Sequence, residues 1–306
     1  MVSVTNAHTH LELTGLAHLC PQKQENFFKW LHQLVIYQQK LSKEDIKAGI
    51  KQGIEELKAC GTTHIGDITY TGHSIAPLLK SGLQGIIYFE IHSLNNKDAL
   101  QKLEQAKSAI LSAHKHPYYG NMQVGLSMHS AYSCTPELLR EGSSWCHREN
   151  IPLCIHVAES PLEKKLLIRA RMFTRIMPLM LLVKLLGLFW RFLPTLRPVP
   201  YLASLGILAA RPLLVHAIHV TKEDIRLIGD TGCSVVHCPR SNMRLSCGRM
   251  PLDYYLSSGV QVYLGTDSRA SSPSLNIHEE AIFAKSLHYD MVDSEQIDRL
   301  IHQKFP

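Results

Sequence analysis

The chain has 306 residues, 45% of them hydrophobic and 19% charged. That is enough to bury a large core and excludes both a disordered chain and a disulfide-scaffolded miniprotein. The formal charge of +6 has one source, because residues 164–197 hold eight Lys or Arg and no acid, leaving 24 basic against 26 acidic side chains elsewhere; a nucleic-acid role, which needs a basic face built by the fold itself, is disfavoured.

In chain order, eight short apolar or alternating runs bounded by turn residues read as strands: 2–8, 63–69, 84–92, 122–129, 152–158, 212–219, 233–238 and 261–266. Helical spacing fills 43–59, 97–115, 135–149, 221–231 and 276–289 between them. Thr135-Pro136-Glu137 is an N-cap with Pro at the first helical position, and Thr221 to Asp224 places carboxylates in a first turn. Strand–helix alternation repeated eight times predicts an α/β chain closed into a (β/α)8 barrel, with an open doubly wound sheet as the alternative. The expected unit is a single barrel domain over residues 1–306. Such a barrel places its chemistry at the C-terminal ends of the strands.

Eighteen histidines exceed what core and surface use explains, and several sit at those strand ends. His8 and His10 close the first run, and a spacing of two puts both imidazoles on one face of a strand, as two ligands of one ion require; a surface turn is the bland alternative. His156 and Glu159 close the fifth. A chain turning out of the sheet aims both at the mouth, pairing a ligand with a carboxylate that handles protons. His216 and His219 are three apart and cannot both point inward from a regular strand, so His216 is taken as functional and His219 as structural. Asp267 follows the eighth run directly, where burial is costly without a partner or a metal; a helix N-cap is its alternative. His129 and His237 end the fourth and seventh runs and read as substrate-facing or as satisfied rim histidines.

The order of HTH, HVAE, the His of LLVHAIH, HCPRSN and GTDS resembles the metal-dependent amidohydrolase superfamily, in its aminohydrolase branch of adenosylhomocysteine, guanine and cytosine deaminases and chlorohydrolases. NAHTHLEL at 6–13, SMHSAYSCTPELL at 127–139 and GTDSRASSPSLNIHEE at 265–280 look most like aminofutalosine deaminases of menaquinone biosynthesis. The resemblance implies one divalent ion, zinc or alternatively iron, held by His8, His10, His156 and Asp267. Catalytic roles would fall to Glu159 as proton shuttle, His216 as polarising group and Asp267 as orienter of the attacking water. Substrate contacts would fall to His129, His237, Glu12 and Ser268. No lysine ends the fourth strand, so a mononuclear site is expected. The implied activity is deamination of an amino-substituted heterocycle, with 6-amino-6-deoxyfutalosine favoured. Alternatives are another purine or pyrimidine deaminase, a chlorohydrolase, or a non-catalytic remnant.

Relatives flank the barrel with a small β-sandwich, whereas Met1 lies seven residues before His8, so a barrel without the sandwich is expected. Residues 164–200 form a basic, apolar excursion in which Lys184, Arg191 and Pro178 interrupt any span. A helical lid on the mouth is the first reading. Membrane-surface contact and a homo-oligomer contact are the alternatives. Eight cysteines without a CxxC pair, and no stretch like a signal peptide before the first strand, are expected of a cytoplasmic protein with reduced thiols. The expected partner is a small amino-heterocycle or nucleoside.

Overall fold

The computed structural model describes residues 3–23, 26–117, 119–163, 165–167, 197–303 and 305. Most of the 164–200 excursion therefore lies outside the described residues.

Eight parallel strands follow one another around a single sheet: β1 (Thr5–Thr9), β2 (His64–Thr69), β3 (Gln84–Ile91), β4 (Met122–Ser130), β5 (Leu153–Val157), β6 (Leu213–His216), β7 (Ser234–His237) and β8 (Val262–Leu264). An isolated parallel bridge between Thr9 and Asp267 joins β8 back to β1. The result is a (β/α)8 barrel, as the alternation predicted, and the open doubly wound alternative falls.

The strands are largely buried on both sides, and apolar or small residues fill most of their length, with polar ones gathered at the ends. Alternate residues divide between two layers. Ile65, Ile87, Val124, Ile155, Leu214 and Val235 face the helices, whereas Ala7, Ile68, Ile86, Tyr88, Cys154, Val215, Val236 and Tyr263 fill the barrel interior, with Phe305 among them. Where two strands come closest, glycine is required: a Cβ on Gly66 would lie 2.2 Å from the Ala7 carbonyl oxygen.

The helices start where their caps dictate. In α2 (Lys43–Ala59), Ser42 and Asp45 form a capping box. Thr135 caps the helix Pro136–Glu149 with Pro at the first position, and Thr221 with Asp224 repeats the box on the helix Lys222–Asp230. Among the helices with no counterpart in the predicted elements, α1 (Phe27–Gln38), opened by an Asn26 cap, lies over the C-terminal mouth with Phe27, Trp30 and Leu34 buried. All eight cysteines are unpaired. Among the described residues, no helix is long and apolar enough to cross a membrane.

Candidate metal centre

His8 leaves β1 into the barrel mouth, and His10 follows just past the strand end. Their Nε2 atoms approach to 3.1 Å. His156, on β5, brings its Nε2 to 3.2 Å from that of His8. Asp267, beyond β8, places Oδ1 3.5 Å from His10 Nε2 and 3.8 Å from His8 Nε2. Four donors at about 2.1 Å from one tetrahedral zinc would stand about 3.4 Å apart, and the observed spacings bracket that edge.

The donor chemistry fits a cation. His156 donates Nδ1–H to the His129 carbonyl at 2.9 Å, which leaves its Nε2 a bare lone pair aimed at His8. Burial, reinforced by the neighbouring imidazoles, holds His8 and His156 well below the ordinary histidine pKa, so both are neutral. Converging lone pairs next to a carboxylate are stable when a positive ion lies between them. The Asp267 carboxylate is fixed in place: Ser241 and Ser271 donate to Oδ2 at 2.6 and 2.9 Å, and the Ser268 amide donates to Oδ1 at 2.7 Å.

Backbone turns deliver the remaining groups. Ala158, at φ 51°, swings the chain out of β5, and Glu159 thereby joins His156 on the cavity wall. Its carboxyl is pushed well above the usual range by burial first, and by Asp267 and Glu163. His216, at φ 70°, sets Nε2 3.5 Å from Glu159 Oε1. His219 turns away and hydrogen-bonds the Cys247 carbonyl at 2.6 Å, the division expected from a spacing of three.

The cavity, about 60 Å³, is walled by His10, His129, His156, Glu159, His216, Asp267 and Ser268 and roofed by Phe27, Trp30, Leu31 and Leu34 of α1, with Leu13 and Tyr132 at its sides. Trp30 anchors the roof by donating to the Ala270 carbonyl at 3.2 Å. A larger hollow of about 530 Å³ opens at the opposite, N-terminal ends of β3 to β7, among Ile86, Gln123, Leu153, Leu213 and Ser234; it holds none of the clustered histidines.

The expected substrate contacts divide. His129 and Ser268 line the cavity, whereas Glu12 and His237 do not. Both Glu12 oxygens are taken up by the 69–73 loop, accepting from the Thr69 and Thr71 hydroxyls and the amides of Tyr70, Thr71 and His73. His237 is fully buried against His288. Sequence reasoning missed Glu90 on β3, whose carboxyl stands 3.9 Å from His156 Nδ1 and is raised to about 8, chiefly by burial. A lone acid at the end of an apolar strand was its signal. Glu90, His129 and His156 form a second trio with ligand atoms within 4.8 Å, but it shares His156, whose Nδ1 is already spent on a carbonyl.

Residues 2–298 match the profile of the amidohydrolase family. Among curated relatives, the aminodeoxyfutalosine deaminase of Deinococcus radiodurans is 35% identical over 288 residues, covering 92% of this chain and 67% of the relative. A 5-methylthioadenosine/S-adenosylhomocysteine deaminase of Nitratidesulfovibrio vulgaris is 29% identical over 295 residues, covering 94% and 60%. This chain thus spans 60–67% of the length of these relatives. Of solved structures, a zinc-bound adenosine deaminase from Xanthomonas campestris superposes with a TM-score of 0.79 at 22% identity, over 98% of this chain and 65% of the other. A guanine deaminase from C. acetobutylicum gives 0.80 at 19%, over 98% and 71%. At those identities the likeness speaks for the fold.

Proposed function

The chain belongs to the amidohydrolase family, and from that premise we propose that it is a mononuclear metal-dependent aminohydrolase that converts an amino-substituted heterocycle to its oxo form. The observation that carries this reading is the convergence of His8, His10, His156 and Asp267 on one point beside Glu159 and His216. Those four residues would hold one divalent ion, zinc in the first instance, which would supply a Lewis acid able to bring the pKa of water towards about 7.

The chain's own residues do the rest. Asp267, fixed by three hydrogen bonds, orients the attacking water. Glu159, whose carboxyl is pushed up by burial, gives a proton to the ring nitrogen beside the attacked carbon, takes one from the attacking water and hands it to the departing amine so that ammonia leaves, and regains the remaining hydroxyl proton as the oxo group forms. His216 faces the same space and polarises the attacked position. His129 and Ser268 bind the ring or its substituent. Phe27, Trp30, Leu31 and Leu34 exclude bulk water. At about 60 Å³ the cavity is smaller than the several hundred Å³ of a typical ligand pocket, so a nucleoside must displace this edge of α1 to reach the histidines.

The favoured substrate is 6-amino-6-deoxyfutalosine, supported by the Deinococcus relative at 35% identity. Adenosine-type nucleosides are the second reading, supported by the methylthioadenosine/adenosylhomocysteine and 5'-deoxyadenosine deaminases. Ammonia release from zinc-loaded protein, measured across aminodeoxyfutalosine, methylthioadenosine, 5'-deoxyadenosine, guanine and cytosine, separates these. Release from none of them refutes deamination.

A further inference from the structure

Behind the cavity wall, backing onto His216, lies a second polar cluster whose other members the proposed chemistry does not use. His216 Nδ1 is 2.9 Å from the Asn242 carboxamide, which on its other side is 3.4 Å from His237 Nδ1. His237 Nε2 is 3.0 Å from His288 Nε2, and His288 Nδ1 receives Arg249 Nε–H at 3.3 Å. Arg249 is clamped in turn by both oxygens of Asp290. His216, His237, Asn242 and His288 are buried, whereas the Arg249–Asp290 pair is partly open to solvent. A continuous line of hydrogen-bonding groups therefore joins a surface ion pair to the histidine at the cavity.

We propose that Arg249 and His288 are positioning residues that fix which nitrogen of His216 carries its proton. This inference rests on the role given to His216 above. A guanidinium only donates, and a neutral imidazole has a single N–H. Burial keeps both distal histidines neutral, His237 held well below its ordinary pKa and His288 lowered to about 4. With Arg249 donating to Nδ1, the His288 proton sits on Nε2 and is donated to His237 Nε2. The His237 proton then sits on Nδ1 and requires an acceptor from Asn242.

That requirement selects the amide orientation. As placed, the Asn242 oxygen faces His216 and its nitrogen faces His237, so one link in the line sets two donors against each other. A half-turn of the amide exchanges oxygen and nitrogen without moving another group. Every donor along the line then meets an acceptor, and no buried donor is left facing another. Asn242 now donates to His216 Nδ1, and the His216 proton is left on Nε2, the nitrogen 3.5 Å from Glu159. His216 thus presents a donor to negative charge developing on oxygen in the cavity. With the opposite polarity it would present a lone pair and act as a base.

Tautomers are read directly by long-range proton–nitrogen NMR correlation on 15N-labelled, zinc-loaded protein, with the His216 signals assigned by their loss in His216→Gln. The wild-type protein is expected to carry the His216 proton on Nε2. In Arg249→Met the anchor is gone, the amide is free to turn, an Nδ1–H population of His216 appears, and kcat falls about tenfold with KM unchanged. His288→Gln, whose amide oxygen accepts from Arg249 while its nitrogen donates to His237, retains the wild-type tautomer and kcat. A wild-type His216 protonated at Nδ1, a tautomer unmoved by Arg249→Met, or loss of the Nε2–H form in His288→Gln overturns the inference. The predicted tautomers in a protein that releases no ammonia support the relay while refuting deamination.

Discussion

Gly265 tests the metal centre without touching a ligand. It lies between β8 and Asp267, where a Cβ would meet His8 Cβ and Val236 Cγ1 at 2.8 Å and the His8 amide nitrogen at 2.9 Å. Ordinary carbon contact begins near 3.5 Å, so Gly265→Ala must push β1 away by about 0.7 Å, and His8 moves with it. Metal ligands tolerate about 0.2 Å. The expected result is zinc affinity weakened about 10- to 100-fold, the scale seen when a ligand's support is lost. The overpacked core should cost a further 1–3 kcal/mol, roughly. Gly120→Ala, with open space around its Cβ, is the control and should change neither quantity. Competition with a chromophoric chelator gives the affinity and thermal melting the stability. If Gly265→Ala melts earlier yet binds zinc as tightly as the wild type, His8 is not a ligand and the coordination scheme fails.

Three further expectations come from the same geometry. Glu159→Gln removes the proton carrier but no proposed ligand, so zinc content should hold while ammonia release falls about 10²- to 10⁴-fold; equal loss of zinc would move Glu159 into the ligand set. Arg240 is buried between Glu280 and Glu279, with further bonds to Ser274 and the Asn276 carbonyl. Arg240→Ala strands a buried carboxylate and should cost about 3–5 kcal/mol, read as a lower urea midpoint at unchanged slope. Asp67, buried under Leu11, Thr9 and Ser74, is raised to about 7 by burial. The folded state then keeps a proton that the unfolded chain releases near 3.8. The stabilisation is complete below pH 3.8 and is lost as pH rises to 7, about 4 kcal/mol by linkage. Asp67→Asn should flatten that slope in denaturation between pH 4 and 7, and unchanged slopes would contradict it.

The barrel was legible because strands buried largely on both faces leave short apolar or alternating runs bounded by turn residues. The run predicted at 122–129 is observed as Met122–Ser130, and that at 84–92 as Gln84–Ile91. The HxH spacing was legible for a similar local reason, since adjacent strand positions alternate faces. The packing around each strand end was not. Glu12 sits as close to the HTH motif as a substrate contact should, but only tertiary structure brings the 69–73 loop onto its carboxylate. His237 ends a strand as His129 does, yet His288, fifty-one residues later, folds against it. The roof formed by α1 was missed because an amphipathic helix between β1 and β2 carries no mark of which end of the barrel it covers.

The same limit explains how residues three apart can share one site. A regular strand sends positions i and i+3 to opposite faces, and His156 with Glu159 breaks that rule through Ala158, held in the left-handed region at φ 51°. His216, Ala217 and Asp267 are likewise left-handed, at 70°, 43° and 62°. Such residues cost about 1–3 kcal/mol each and persist where neighbours over-determine them. Here the restraints are visible: the Ile218 and His219 amides both donate to the Ala158 carbonyl, Ala217 donates to Val157, and Asp267 donates to His8. Each strained turn is thus tied to the adjacent strand that carries, or leads to, another member of the cluster. Relaxing one of these turns would shift its own side chain and loosen the neighbouring strand end together, so the barrel's local strain and the convergence of the cluster are one structural property.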